Sequence, residues 1–166
     1  MGNGTKMLEI LKDLNQCGLS IEQLDQFNSL SEGFSKTLGL RFTEITPQSV
    51  KAELPVSDAH LQVSGMVNGG VHSSLAETVG SVAGIIAANG KLVVGANCTT
   101  DFLGTVSAGV IDVEAKVIHP GRTSQLIGID LYHRHKLVAR ATLRTIVITP
   151  QPEAPKKDKF NISATQ

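Results

Sequence analysis

Hydrophobic residues recur along this chain in two rhythms. From Val71 to Ala88 the apolar positions Val71, Leu75, Val79, Val82, Ala83 and Ile86 fall on one helical face. Most of the other residues there are small, and Asn89-Gly90 supplies a left-handed stop. A helix of about eighteen residues is about 27 Å long. Downstream the period drops to two: Val113, Ala115 and Val117 alternate with Asp112, Glu114 and Lys116. Ile127, Ile129 and Leu131 share a face of the next segment. Four strands are expected, in "KLVVGANCTTDFL", "GVIDVEAKVIH", "RTSQLIGIDLY" and "KLVARATLRTIVI". His119-Pro120-Gly121 and "HRH" mark turns, and meander connections between antiparallel neighbours follow. Before the helix, "LGLRFTEIT" (38–46) and "SVKAELPV" (49–56) read as two strands joined at a turn containing Pro47.

The first residues form a helical preface. Met7, Leu8, Leu11 and Leu14 sit at helical spacing within residues 7–15, which Cys17-Gly18 terminates. Ser20 and Gln23 have the spacing of a capping box, opening a second helix through about Phe27. Residues 1–35 are too few to bury a core alone and are expected to cover a sheet edge or a pocket mouth. The main domain is expected over 36–149, and the Pro- and Lys-rich residues 150–166 as a disordered tail. Two strands, a long helix and four strands define an α+β fold, with a twisted antiparallel sheet of five to six strands curled around one central helix.

Composition narrows the function classes. Fifteen basic residues balance fifteen acidic ones among 166, which gives no electrostatic case for nucleic acid or an anionic membrane as a partner. No apolar run spans a bilayer, and the opening residues lack a signal-peptide core. Cys17 and Cys98 lie far apart without CxxC spacing, as free thiols in a reducing cytoplasm do. No metal-ligand pattern is present; "YHRH" at 132–135 reads as a solvated turn and Asp101 as a strand-end residue.

One feature of the long helix runs against its composition. Glu77 is a lone carboxylate in a helix otherwise built for burial, where a charge is costly. Its neighbours at i±3 and i±4 are Ser73, Ser74, Gly80 and Ser81, a small polar strip suited to open solvent, a groove or a dimer seam. Gly69 and Gly70 at the helix start offer backbone N–H groups without intrahelical partners, at the positive end of the helix dipole. Such donors beside a carboxylate suit acyl transfer. Taken alone, a glycine pair is more commonly a structural turn, a histidine such as His72 more commonly a packed helix residue than a catalyst, and Arg122-Thr123-Ser124 equally a hairpin exit.

The combination Asn68-Gly69-Gly70, Leu75-Ala76-Glu77 and Gly80-Ser81-Val82-Ala83-Gly84 resembles the signature of the hotdog-fold acyl-CoA thioesterases. Within them it is most similar to the branch with a helix-borne Glu that hydrolyses 4-hydroxybenzoyl-CoA or 1,4-dihydroxy-2-naphthoyl-CoA. The resemblance covers about residues 35 to 149. It implies a hotdog fold and hydrolysis of an acyl-CoA, with an aromatic acyl group favoured and a medium-chain one open. By the same resemblance Glu77 is the catalytic carboxylate, a nucleophile or a base for water. Gly69 donates its N–H to the thioester carbonyl, Gln62 helps to position that carbonyl, and Ser81 is the hydroxyl one turn after the acid. Asn68 and Gly70 border the substrate, and Arg122, Thr123 and Ser124 match the loop that grips CoA phosphates. No cofactor is implied, because CoA belongs to the substrate. Two positions depart from the pattern: Asn68 stands where the family has His, and Leu103-Gly104-Thr105-Val106 where relatives carry a basic residue and proline.

Spacing adds a demand. Glu77 lies eight residues after Gly69, about 12 Å along one helix, too far for one thioester carbon to meet both. Two antiparallel copies side by side meet it, so a homodimer is expected, with Gln62 and Gly69 from one chain and Glu77 and Ser81 from the other. A dimer of dimers, hence a homotetramer, is the expected assembly. A reading from another class keeps the fold without the chemistry: a non-catalytic acyl-CoA-binding or scaffolding module.

Overall fold

The computed structural model describes residues 2–148, so the tail expected over 150–166 lies outside the described residues. Three helices come first: α1 (Asn3–Lys12), α2 (Ile21–Ser29) and α3 (Gly33–Leu38). Strands β1 (Arg41–Ile45) and β2 (Val50–Pro55) follow, then a 3-10 turn (Asp58–His60), the long α4 (Gly69–Ala87), and β3 (Val93–Phe102), β4 (Val110–Pro120), β5 (Ser124–His133) and β6 (Lys136–Val147). The six strands form one antiparallel sheet that packs along α4, the hotdog architecture.

The strand order is β1-β2-β4-β5-β6-β3. Only β4, β5 and β6 form a meander. β3 does not neighbour β4 as the meander expectation had it; it pairs with β6 while β4 pairs with β2. Period-two patterning says which face of a strand is buried, not which strand lies beside it. Here α4 carries the chain across the concave face, so the strand after it starts at the far edge.

The concave face and α4 make the core. Leu54, Leu75, Val79, Ile111, Ile127 and Leu131 are fully buried there. Gly80 brings helix and sheet close together: a Cβ on it would lie 2.9 Å from Leu143 Cδ2. The sheet does not enclose α4 on all sides, as its composition suggested. Gly70 and Glu77 are exposed and Ser73, Ser74, Thr78 and Ser81 half-buried, which leaves an open polar stripe along the helix.

The preface does more than fill space. Ser20 forms its capping box with Gln23. Phe27 of α2 is buried edge-on against Phe42, with ring centroids 5.2 Å apart. Asn28 behaves as an extra strand residue on the free edge of β1: its Nδ2 donates to the Phe42 carbonyl at 2.9 Å, and its Oδ1 accepts from the Phe42 N–H at 2.8 Å. An edge that could recruit another strand is thereby closed. α1 starts earlier than the hydrophobic spacing implied, at Asn3. α3 takes Leu38 from the strand expected over 38–46 and ends on Gly39 in the left-handed region (φ 79), so β1 begins only at Arg41.

Candidate active site

α4 begins at the paired glycines, and its first turn treats them differently. Asn68 is the N-cap, and its Oδ1 accepts from the Gly70 N–H at 2.8 Å. The Val71 N–H donates to the Asn68 carbonyl at 2.9 Å. The Gly69 N–H has no acceptor among the described residues. It is left as a donor at the positive end of a 19-residue helix. A Cβ at position 69 would lie 2.7 Å from Phe102 Cζ, so a side chain there would have to push the Phe102 ring aside.

The turn before α4 is built on a residue that the motif does not mark. His60, 7% exposed, accepts from the Ser57 N–H at Nδ1 (3.0 Å) and donates from Nε2 to the Leu38 carbonyl (2.9 Å). Its own carbonyl accepts from the Asn68 N–H at 2.9 Å. One buried ring therefore ties the end of α3 to the N-cap of α4. The only hint in the sequence is the Ser57-to-His60 spacing, which imitates a capping box. Gln62 lies in the intervening loop, closed by its N–H to the Met66 carbonyl (2.8 Å) and by Gly65 N–H to the Gln62 carbonyl (2.9 Å). The Gln62 side chain points into solvent.

Two turns into α4 the exposed Glu77 faces β3. Its Oε1 lies 3.4 Å from where a Gly95 Cβ would be, so the bare backbone at 95 leaves the carboxylate room. Ser81 follows one turn on, half-buried. One turn back, Ser73 Oγ donates to Thr100 Oγ1 at 3.1 Å. Cys98, on an exposed strand, has its thiol pushed above the ordinary value, first by the partial desolvation that α4 imposes and also by the Glu77 charge; the Thr100 hydroxyl works against both. Gly69 and Glu77 thus belong to one continuous helix, about 12 Å apart along its axis, and are not brought together within the protomer.

His72 sits on the inner side of the same helix, 3% exposed, its ring centroid 6.0 Å from that of Phe102. Neither ring nitrogen has a hydrogen-bond partner among the described residues. Burial holds its pKa below the ordinary value; the Asn68 carbonyl pulls weakly the other way without meeting hydrogen-bond geometry.

Arg122, Thr123 and Ser124 are at the opposite end of α4, in the β4–β5 turn and the start of β5. The turn is fixed from inside. Gln125 is fully buried, donates from Nε2 to the Gly121 carbonyl (2.6 Å) and accepts from Thr145 Oγ1 (2.7 Å). Ser124 Oγ is buried without a hydrogen-bond partner among the described residues. Arg122 and Thr123 line a groove of about 600 Å³ with Lys12 and Lys91. A similar groove, about 610 Å³, opens on the outer side of the sheet. It carries Lys51 and Glu114, already paired with Glu44 (3.0 Å) and Lys116 (2.9 Å), and it offers no helix-start amide. In the "YHRH" turn the Tyr132 hydroxyl donates to Asp130 and His133 Nδ1 meets the Val110 carbonyl.

The comparisons with known proteins agree with this architecture. The profile of the Thioesterase superfamily matches residues 64–139, the segment that holds the helix start and Glu77. The chain is 35% identical over 124 residues to Rv1847 of Mycobacterium tuberculosis, which carries a provisional esterase designation; the match spans 72% of this chain and 89% of that protein. It is 35% identical over 96 residues to the proofreading thioesterase EntH of Klebsiella pneumoniae, spanning 57% of this chain and 70% of EntH. The crystal structure of thioesterase HI1161 from Haemophilus influenzae superposes with a TM-score of 0.72 at 33% identity, covering 75% of this chain and 90% of that one. This chain belongs to the thioesterase superfamily. It is a hydrolase that acts on thioesters, on the hotdog fold.

Proposed function

We propose that the protein is an acyl-CoA thioesterase of the branch with a helix-borne Glu, that it takes an aromatic acyl group, and that each active site is shared by two protomers. The observation that carries this reading is the unpartnered Gly69 amide, set about 12 Å along α4 from a carboxylate that is open to solvent. Neither group is of use to a thioester without the other, and a second antiparallel α4 supplies what each lacks.

Two features support the pairing. The open stripe of α4 has small or hydroxyl side chains that let another helix approach closely. β3 is a ten-residue edge strand whose side chains are almost all exposed, Phe102 (58%) and Val94 (46%) among them. Long uncovered edges are normally covered or paired. Pairing β3 with its symmetry mate continues the sheet and sets two α4 helices side by side under an isologous two-fold.

In this site the thioester carbonyl oxygen accepts from Gly69 N–H, with Gln62 beside it. The partner's Glu77, flanked by the partner's Ser81, takes a proton from water as the water oxygen bonds to the carbonyl carbon. Negative charge collects on the former carbonyl oxygen at the helix terminus, where the amide and dipole stabilise it. The C–S bond then breaks, and the sulfur leaves with its electron pair and takes the proton from Glu77. The products are the carboxylic acid and free CoA. Direct attack by the carboxylate, through an acyl-Glu77 anhydride that water then opens, uses the same two groups; a single turnover in heavy-oxygen water separates the routes, because only attack labels Glu77.

In this reading Arg122 and Thr123 receive the nucleotide phosphates, with Lys12 and Lys91 adding charge, while the buried Ser124 hydroxyl does not line that groove. Their groove begins near Leu92, three residues from Gly95 and so about 10 Å from Glu77 along β3. It extends to Asn89, about 18 Å from Glu77 along α4. That range suits a pantetheine arm, whose reach equals that of between four and five extended residues, about 15 Å. The reading needs no metal or redox cofactor and fits a cytoplasmic enzyme, with a dimer of dimers as its assembly. No helix among the described residues is long and apolar enough to cross a membrane.

Thiol release from a panel of aryl- and alkyl-CoA thioesters tests the reading, run beside Glu77→Gln. Turnover of an aryl-CoA and a fall in kcat of about 10³-fold in the variant are expected. Unchanged turnover in the variant removes Glu77 from the mechanism. Tight acyl-CoA binding without turnover makes the protein a binding module.

A further inference from the structure

A third groove, of about 450 Å³, is lined by Asn68 and Gly70, the residues on either side of Gly69. One wall is the first turn of α4, with Asn68, Gly70, Val71 and Ser74; the other is α3, with Phe34 and Leu38, and Leu61 lies between them. Phe34 holds 63% of its surface in water although it faces this groove. α3 is not a loosely attached element here. His60 bonds its last carbonyl and, through its own backbone, the Asn68 N–H, so the wall and the helix start are parts of one hydrogen-bonded unit.

We propose that α3 forms the far wall of the acyl pocket, that Phe34 is a specificity-determining residue, and that the pocket takes a neutral, ring-sized acyl group. This rests on the thioesterase reading and extends it to the acyl side of the substrate. A carbonyl held on Gly69 N–H has two substituents. The sulfur runs toward the carboxylate and the phosphate groove. The acyl group takes the remaining direction, and Asn68 and Gly70, which flank the donor, are the residues that open into the α3 groove. Its lining holds no carboxylate, lysine or arginine, and the one ionisable ring, His60, has both nitrogens engaged. A charged acyl tail therefore finds no counter-ion, whereas a flat apolar one covers the exposed face of Phe34 and the aliphatic side chains of Leu38, Leu61 and Val71.

The experiment measures calorimetric binding of phenacyl-CoA, a benzoyl-CoA analogue with a methylene between sulfur and carbonyl, beside CoA alone. Wild type, Phe34→Ala and Phe34→Trp are compared, and thermal unfolding verifies that both variants are folded. Phenacyl-CoA should bind wild type more tightly than CoA does, and Phe34→Ala should lose about tenfold of that affinity while CoA binding stays constant. In turnover, kcat/KM for benzoyl-CoA should fall by a similar factor in Phe34→Ala and that for acetyl-CoA should hold. Phe34→Trp should shift preference toward acetyl-CoA, and succinyl-CoA should be a poor substrate throughout. Equal binding of phenacyl-CoA by all three proteins, or no advantage over CoA in wild type, overturns the assignment. A wild type that cleaves no thioester defeats the hydrolase reading alone, because the binding comparison still decides the groove.

Discussion

Gly69 and Gly70 are neighbours with the same chemistry, and they end in different roles because of one side chain. Asn68 commits its Oδ1 to the Gly70 amide, so the donor that stays free is that of Gly69, the glycine against the Phe102 ring. The spacing of Gly69 to Glu77 could be read from the sequence, and so could the lone acid in an apolar helix. The assignment of the cap to Asn68 could not, because Asn in that place is equally a substrate contact. His60 was invisible for a related reason: its role depends on the Leu38 carbonyl, twenty-two positions away. His72 shows the same dependence on packing and carries a pH signature. Its ring is kept neutral, below the ordinary 6.5, chiefly by burial. As pH falls, the unfolded chain takes up that proton before the folded one. The stability linked to the neutral ring is therefore complete above about pH 6.5 and is lost as pH falls from there through the folded value. Thermal midpoints measured from about pH 8 to about pH 5 should decline for wild type, and His72→Leu should remove part of that decline. Parallel curves for the two proteins would show that the ring charges freely in the folded state.

Elements were legible in proportion to their length and periodicity. α4 and the four strands after it announced themselves over ten or more residues each. α3, with six residues and no repeat of an apolar face, did not, although Gly39 just after it is the kind of residue that ends helices. The wall that α3 gives to the groove beside the α4 start therefore leaves no periodic trace in the sequence. α2 was recognised by its capping box, but its purpose was not, because Asn28 does its work by pairing with β1 outside the helix. The two bonds between Asn28 and Phe42 satisfy the middle of the β1 edge, and Leu19 N–H adds a third bond, to the Ile45 carbonyl at 2.9 Å. Asn28→Ala should lower stability by about 1–3 kcal/mol, read from urea unfolding, while kcat for any cleaved thioester stays within about twofold. A large fall in kcat with no change in stability would mean that α2 serves the site directly.

At the scale of the molecule, sequence reasoning reached the class of fold and missed the order of the strands. The order matters for function, because it puts β3 at the rim and beside Glu77, so one uncovered edge and one uncovered helix face lie together. Nothing among the described residues covers either. The decisive experiment uses two crippled proteins. One carries Gln62→Ala with Gly69→Pro, which removes the N–H at the first helical position where Pro is tolerated, and so lacks the carbonyl-holding half; the other carries Glu77→Ala and lacks the carboxylate. If the active site is shared across a two-fold, each mixed dimer has one site in which both faults coincide and one in which neither does. Co-refolding equal amounts makes about half of the dimers mixed, each with one of two sites intact, so about a quarter of wild-type activity should return. If one chain supplied both groups, every site would carry a fault and mixing would restore nothing. Recovery should also fail when the two proteins are mixed without unfolding, provided subunits exchange slowly, and rise with time as they exchange. The rate of that rise measures how firmly β3 and α4 hold their counterparts.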